Sequence, residues 1–267
     1  MARDDIVGLV VGVGILAAAT YAIYKGYLGQ AVDALLNLKL PDIGGGGGGT
    51  DTGGGSTGGD TGGGTDTGDG GSTTGGAVKS FVCAGDWGTG RHAEPSVSIT
   101  KQALTGKPGL FVGLGDYSYS SAKAFDPVYT QIKAAKIPSI WTHGNHDGND
   151  YLTYFGQKSW TFAYEAGDVV FVCLDGNSSG ASNATVLDNA LKTSKAKWRI
   201  VFIHQPMHSP SSSHGDDACK CAVAIKPLLM KYKVQLVLQG HNHIYGHTPP
   251  QAGQTTFAVV GTGGESA

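Results

Sequence analysis

The chain has 267 residues, 44 of them glycine; only 15% are charged and the formal net charge is -2. That length holds one large domain or two small ones. The charge balance excludes a basic nucleic-acid-binding protein and a polyelectrolyte tail, so no nucleic acid is expected as a structural partner.

Taken in chain order, the sequence divides into three parts. Ile6 to Tyr24 runs without a charge between Arg3, Asp4, Asp5 and Lys25. A membrane-spanning helix needs about 20 apolar residues, so the stretch is long enough to anchor the chain. Gly8 and Gly12 form a GxxxG pair, which lets two such helices approach closely. The stretch therefore predicts a retained hydrophobic helix, in a membrane or in a protein assembly, where it would support a homo-oligomer. A cleaved secretory signal is the third reading, but its leading segment carries one Arg against two Asp. Apolar residues continue at a helical period through Leu28, Val32, Leu35 and Leu36 until Pro41, giving a first unit over residues 1–43. Residues 44–76 follow, with 19 glycines and otherwise only Thr, Ser and Asp. Such a composition cannot bury a core and predicts a flexible linker, with an end-to-end distance of roughly 30 Å. Its TDTG units lack the apolar position that packs a calcium-binding β-helix.

From residue 77 to 267 the pattern changes. Short apolar runs at 80–84, 110–112, 139–142, 169–174, 200–203, 235–238 and 257–260 predict strands, and segments at 95–104, 127–135, 185–193 and 222–232 predict helices. Alternation of this kind specifies an α/β domain. Residues 160–164 and 169–174, joined at Gly167-Asp168, predict a hairpin within it.

Ligands in such folds bind beyond the carboxyl ends of the strands. Just past the predicted strand ends stand Gly85-Asp86-Trp87-Gly88, then Gly115-Asp116 with Tyr119, then Gly144-Asn145-His146-Asp147, then His204, then Gly240-His241 with His243. Carboxylate, phenol, amide and imidazole donors without thiolate suit hard or borderline metals rather than a structural zinc site. Any one of these motifs is a common turn or cap. Five in order, each at a strand end, are not.

The series GDWG, GDYSY, GNHD, VFIH and GHNH resembles the metallophosphoesterases, and within them the purple acid phosphatases. The superfamily's first motif usually reads Asp-x-His; here Gly88 stands in place of that His, and Tyr119 follows Asp116 by three residues. The resemblance covers residues 77–267 and implies a metallophosphoesterase-type β-sandwich flanked by helices. It implies that Asp86, Tyr119 and His243 hold a ferric ion, that Asp116 bridges both metals, and that Asn145, His204 and His241 hold a divalent iron, zinc or manganese. It further implies that His146 contacts phosphate and protonates the leaving group. His214, ten residues after His204 and one more than the family's spacing, corresponds to a second substrate-side histidine. Family members commonly continue past the last predicted strand, so the resemblance implies either a trimmed second sheet or a chain that continues beyond the given sequence.

Physical chemistry agrees with those roles. Two cations neutralise the phosphoryl oxygens and lower the pKa of a bound water, supplying hydroxide at mild pH. A phenolate stabilises trivalent iron. The expected activity is phosphate monoester hydrolysis by a domain displayed outside a membrane or on an assembly. A phosphodiesterase or nucleotidase of the same superfamily, or a surface-assembly protein carrying a phosphatase-like domain, are the alternatives.

The remaining motifs are less specific. Cys83 and Cys173 fall within apolar strands and predict buried free thiols, whereas Cys219 and Cys221 stand too close for an easy mutual disulfide in regular geometry. Asn177 and Asn183 begin glycosylation sequons in a predicted loop, consistent with an extracytoplasmic domain. His143 is expected behind the ligands, and His208 on the surface or in the core.

Overall fold

The computed structural model describes residues 78–91, 93–210, 219–248 and 254–265. The expected helix of residues 1–43, the linker of residues 44–76 and His214 lie outside the described residues. Among the described residues no helix is long and apolar enough to cross a membrane.

The elements, in order, are β1 (Val82–Ala84), α1 (Ala93–Thr105), β2 (Phe111–Gly113), a 3-10 turn (Ala122–Phe125), α2 (Asp126–Ala134), β3 (Ser139–Trp141), α3 (Asp150–Phe155), β4 (Phe162–Ala166) and β5 (Val169–Cys173). They continue with α4 (Ala181–Thr193), β6 (Trp198–Phe202), α5 (Ala222–Lys231), β7 (Leu236–Gln239), β8 (Tyr245–His247) and β9 (Thr256–Val260). The strands form two sheets, a three-stranded one ordered β1-β2-β3 and a six-stranded one ordered β4-β5-β6-β7-β9-β8. The small sheet is parallel, and so is the centre of the large one from β5 to β9. Only the flanking strands β4 and β8 are antiparallel to their neighbours.

Side-chain alternation explains why the sheets stack. In β5, Val170 and Val172 face α4 and α5, while Phe171 and Cys173 face the small sheet. In β6 and β7, Val201 and Val237 point outward and Ile200, Phe202, Leu236 and Leu238 inward. A strand buried on both faces reads as an uninterrupted apolar run, as VVFVC does and as IVF and LVL do within WRIVF and LVLQ. Between the sheets, Phe81, Val112, Leu114 and Ile140 meet the inward set. Trp87, Phe111, Phe125 and Trp141 form a third cluster under α2 and α3, on the outer face of the small sheet.

The helices begin and end where local chemistry dictates. Pro95 and Pro127 sit in the first turns of α1 and α2, where a missing N–H costs nothing. The hairpin β4–β5 turns at Gly167-Asp168 as expected, with Ala166 paired to Val169.

Three expectations are corrected. Helix α4 starts at Ala181, not Thr185, so Asn183 lies within a helix rather than a loop. Its amide is fully buried and bonded to Thr161, the Asp175 backbone and Ser178, which leaves no nitrogen for a glycan. Cys219 and Cys221 are joined in a disulfide with Cα atoms 5.1 Å apart, because a turn at Lys220-Cys221 folds the backbone ahead of α5. The short helix α3 and strand β8 have no counterpart in the predicted pattern, being too brief to display a period. Cys83 and Cys173 are free and buried as expected, and burial pushes the Cys83 thiol up to about 12.

Phe202 is fully buried between the sheets, its ring 5.6 Å from Phe171 and 5.9 Å from Phe81. Phe202→Ala should cost about 3–5 kcal/mol, read as a lowered denaturant midpoint of the full chain. A change below about 1 kcal/mol would contradict the packing described.

Candidate metal centre

The carboxyl ends of β1, β2, β3, β6 and β7 converge where the two sheets meet, and each delivers its donors there. The β1 and β2 ends are laced together by Asp86 N–H to Gly115 O at 3.0 Å and Trp87 N–H to Asp116 O at 2.9 Å. Asp86, Asp116 and His241 all adopt positive φ, at 61°, 53° and 70°. Asp and His tolerate that region better than most residues, but it is still strained and turns each side chain back over the sheet edge.

Seven of the expected ligands fall into two adjacent groups. In one, Asn145 Oδ1 lies 3.1 Å from His204 Nε2 and 2.8 Å from His241 Nδ1. Asp116 Oδ2 is 3.3 Å from His204 Nε2, and ligand atoms of Asp116, His204 and His241 all lie within 4.8 Å of one another. In the other, the Tyr119 hydroxyl is 3.2 Å from His243 Nε2, which is itself 3.6 Å from Asp86 Oδ1. Burial grades outward: Asp86, Asp116 and His204 are buried, Tyr119, His241 and His243 half-buried, Asn145 and His146 exposed. The ring of His146 lies 4.5 Å from that of Tyr119, at the rim.

Backbone groups orient the donors. His204 Nδ1 donates to Leu114 O at 2.6 Å, which turns Nε2 toward the site. Asp86 Oδ2 accepts from His241 N–H at 2.8 Å, and Asp116 Oδ1 from His146 N–H at 2.9 Å.

Asp147, a residue without a role in the motif reading, is a clamp. Its carboxylate accepts from the backbone N–H of Asp116 at 2.9 Å, Tyr117 at 3.0 Å and Gly144 at 2.8 Å, binding the β2 loop to the β3 loop. A Cβ at Gly144 would sit 2.2 Å from Asp116 N, so only glycine allows this approach. His143 stacks on Trp160 with ring centroids 4.5 Å apart, and joins Asp175 Oδ1 at 2.9 Å to Asp147 O at 3.0 Å. Burial opposes its charged form, but the Asp175 bond wins and raises its pKa. Asn177 Nδ2 donates to Gly144 O at 3.0 Å, so the first sequon too is engaged in holding this loop. His208 instead packs against Phe257, at 5.1 Å. At Gly88, a Cβ would lie 2.6 Å from Glu265 Oε2 and 3.0 Å from its Cα, so the place of a larger first-motif residue is already filled.

Electrostatics test whether cations fit. Burial, with Asp116 alongside, pushes Asp86 up to about 8 against the pull of His204. Burial also acts to raise Asp116, but His204 overrides it and holds Asp116 down to about 2. Burial and the Asp116 charge push Asp147 up to about 7. Burial would lower His204, yet Asp116 raises it to about 9. Asp86 Oδ1 is buried with no hydrogen-bond partner. An acceptor of that kind normally finds a donor, and a cation supplies what the protein does not. The residues therefore fit a metal centre of hard donors.

The comparisons with known proteins point the same way. Residues 79–245 match the family described as calcineurin-like phosphoesterase. Purple acid phosphatase 23 of Arabidopsis thaliana is 25% identical over 160 residues, 49% of this chain and 35% of that protein. Probable purple acid phosphatase 20 of the same plant is 25% identical over 200 residues, 62% of this chain and 45% of that protein. The chain thus spans less than half the length of these relatives. Among solved structures, one described as GAP50, the anchor in the inner membrane complex of Plasmodium, superposes with a TM-score of 0.55 at 17% identity, covering 70% of this chain and 72% of that one. A dimetal phosphatase from Danio rerio gives 0.50 at 13% identity, covering 67% and 86%. At such identities the structures show the fold alone.

Metal uptake by the metal-free protein must displace the protons that Asp86 and His204 hold at neutral pH. Both groups have raised pKa values, so they are protonated below them and lose the proton as pH rises through them. Affinity should therefore climb from about pH 6 to about pH 9, with proton release in weakly buffered titrations. Uptake that is flat over this range and releases no protons would contradict the charge arrangement.

Proposed function

The chain belongs to the calcineurin-like phosphoesterase family, and from that premise we propose that it hydrolyses phosphate monoesters at a two-metal centre of the purple acid phosphatase kind. The observation that carries this reading is the pair of adjacent donor groups, one with ligand atoms of Asp116, His204 and His241 within 4.8 Å of one another and the other containing Asp86 Oδ1, a buried carboxylate oxygen without a hydrogen-bond partner. Asp86, Tyr119 and His243 would hold Fe(III), Asn145, His204 and His241 a divalent iron, zinc or manganese, and Asp116 both. When bound, the metals supply charge neutralisation for the phosphoryl group and an activated water.

The chain's own residues do the rest. Tyr119 as phenolate favours the trivalent ion; burial and the Asp116 and Asp86 charges raise its pKa, so the proton leaves only against a strong cation. His146 stands at the exposed rim with its backbone tied to Asp116, within reach of a departing oxygen and of solvent for reprotonation. Asp147, His143 and Asp175 keep its loop in place. His214 is the second substrate-side histidine of this reading. Residues 1–43 tether the domain to a membrane facing outward, or to a surface assembly, and residues 44–76 space it from that surface. The uncharged run from Ile6 to Tyr24 and the glycine-rich tract support this part.

The purified protein loaded with metal should contain two metals, one of them iron. It should hydrolyse a phosphate monoester faster than a diester and absorb visible light through Tyr119. Tyr119→Phe should bleach the colour with the fold intact by circular dichroism. A colourless, active protein holding two zinc ions would defeat the purple acid assignment, and a preference for diesters would favour the phosphodiesterase alternative.

His146→Ala should keep both metals and slow hydrolysis of alkyl phosphates by roughly 10²–10⁴-fold. The loss should be much smaller for nitrophenyl phosphate, whose leaving group departs without a proton. Equal losses on both esters, or loss of the divalent ion, would show that His146 only props the loop carrying Asn145.

A further inference from the structure

Strand β9 also ends at the edge of the metal centre, and the loop after it carries a carboxylate that no motif covers. β9 runs parallel to β7, so its carboxyl end reaches the same edge, where Gly85 N–H donates to Val260 O at 2.9 Å. Past Val260 the chain reads Gly261-Thr262-Gly263-Gly264-Glu265. Two of these glycines let the loop press against the residues that deliver Asp86. A Cβ at Gly261 would lie 2.7 Å from Asp86 Oδ2, and one at Gly263 would lie 2.5 Å from Gly85 O. Gly263 N–H donates to Gly85 O at 2.7 Å and Glu265 N–H to Asp86 O at 3.0 Å, which fixes Glu265 against the β1 end.

The side chain of Glu265 turns toward Gly88. A Cβ there would lie 2.6 Å from Glu265 Oε2, an atom buried from solvent, and 3.2 Å from Glu265 Cβ. Glycine at position 88 is therefore what admits the carboxylate. The neighbouring donor group is close enough to feel it. After burial, Asp116 and Asp86, the Glu265 charge adds to the rise in the pKa of the Tyr119 hydroxyl, which is itself 3.2 Å from His243 Nε2. Asp86 Oδ1, fully buried and without a hydrogen-bond partner, belongs to the same group. Carboxylates gathered out of water repel one another, and a cation among them reverses that repulsion.

We infer that Glu265 is a further ligand of the cation held by Asp86, Tyr119 and His243, a carboxylate supplied by the loop after β9 in the space that Gly88 leaves open. The inference rests on the two-metal reading and adds to it a donor that the purple acid resemblance does not supply. A second hard anionic donor beside the phenolate of Tyr119 selects a trivalent over a divalent ion at this position.

The test uses the full chain, with ferric ion itself as the probe. In Glu265→Gln, which keeps the shape and loses the charge, iron held against a competing chelator should weaken by about 10–100-fold, while uptake of the divalent ion at His204 and His241 stays unchanged. The visible band should move to longer wavelength, because iron with one anionic donor fewer draws electrons more strongly from Tyr119. Glu265→Asp should fall between the two proteins, since the charge stays on a shorter arm. Metal-free Glu265→Gln should unfold at the temperature of the metal-free wild type or above it, repulsion having been relieved, whereas the iron-loaded variant should unfold below its wild-type counterpart. An unchanged iron affinity and band overturn the inference. So does an equal loss of stability in both forms, the mark of a side chain that only packs. A wild type that takes up no iron overturns the purple acid reading and the inference with it; a wild type that binds iron through Tyr119 leaves that reading standing whatever Glu265 does.

Discussion

The structure is organised around the burial of three carboxylates, Asp86, Asp116 and Asp147, at the seam between the two sheets. An unpaired charge taken out of water costs several kcal/mol, and His204 is the only fully buried basic side chain set against them among the described residues. Part of the cost is offset by backbone N–H groups. Asp147 takes three of them, Asp116 takes that of His146, and Asp86 takes that of His241. Apart from the Gly144 bond, which lies within the β3 loop, each of these bonds joins the end of one strand to the loop after another. The Asp86 bond reaches from the small sheet to the large one. The carboxylates therefore hold the sandwich closed at one edge, and the same closure presses their charges together. What remains unbalanced there is a deficit of positive charge, with one Asp86 oxygen left open.

Strain at the strand ends has the same origin. A residue other than glycine at positive φ costs on the order of 1–3 kcal/mol, and persists only where its surroundings over-determine it. Asp86, Asp116 and His241 are each over-determined, by a strand on one side and a backbone bond to another loop on the other. Straightening any of them would swing a donor away from the common centre. The donors thus owe their geometry to the sheet edges and to one another, while Asn145 and His146 owe theirs to a loop. That loop needs separate support, which Asp147, the His143–Asp175 pair, Trp160 and Asn177 provide.

The sheet and the donor positions were legible because both follow from periodicity. A parallel strand buried on two faces is an apolar run, and functional residues in such folds stand just beyond its carboxyl end. The supporting contacts have no such signature. Asp147 stands in the quoted GNHD motif, yet its role depends on N–H groups of residues 30 and 31 positions earlier, whose direction is fixed only by the fold. Asp175 is 32 residues from His143, and nothing in the intervening sequence links them. Asn183 read as a loop residue because three Ser and two Gly surround it between 176 and 182, a composition that masks a helix start at Ala181. The Cys219–Cys221 bridge runs against the regular-element expectation because residues two apart point to different sides of a helix and stand about 6.6 Å apart along a strand, whereas the turn here brings the two Cα atoms to 5.1 Å.

A catalytic and a purely structural use of this fold make different demands on its residues. Three apolar clusters already fill the space between the sheets and beneath the helices on both outer faces. The donors add nothing to that burial; Asp86, whose pKa burial raises, reduces the stability, and the strained backbone beneath it and Asp116 reduces it further. Apolar residues of similar volume at the same places would pack without penalty, since replacing buried ionic groups in this way is often neutral or stabilising. A display platform would be served by such a seam. Two carboxylates, a phenol, an amide and three imidazoles converging on one edge are instead explained by cations that balance them.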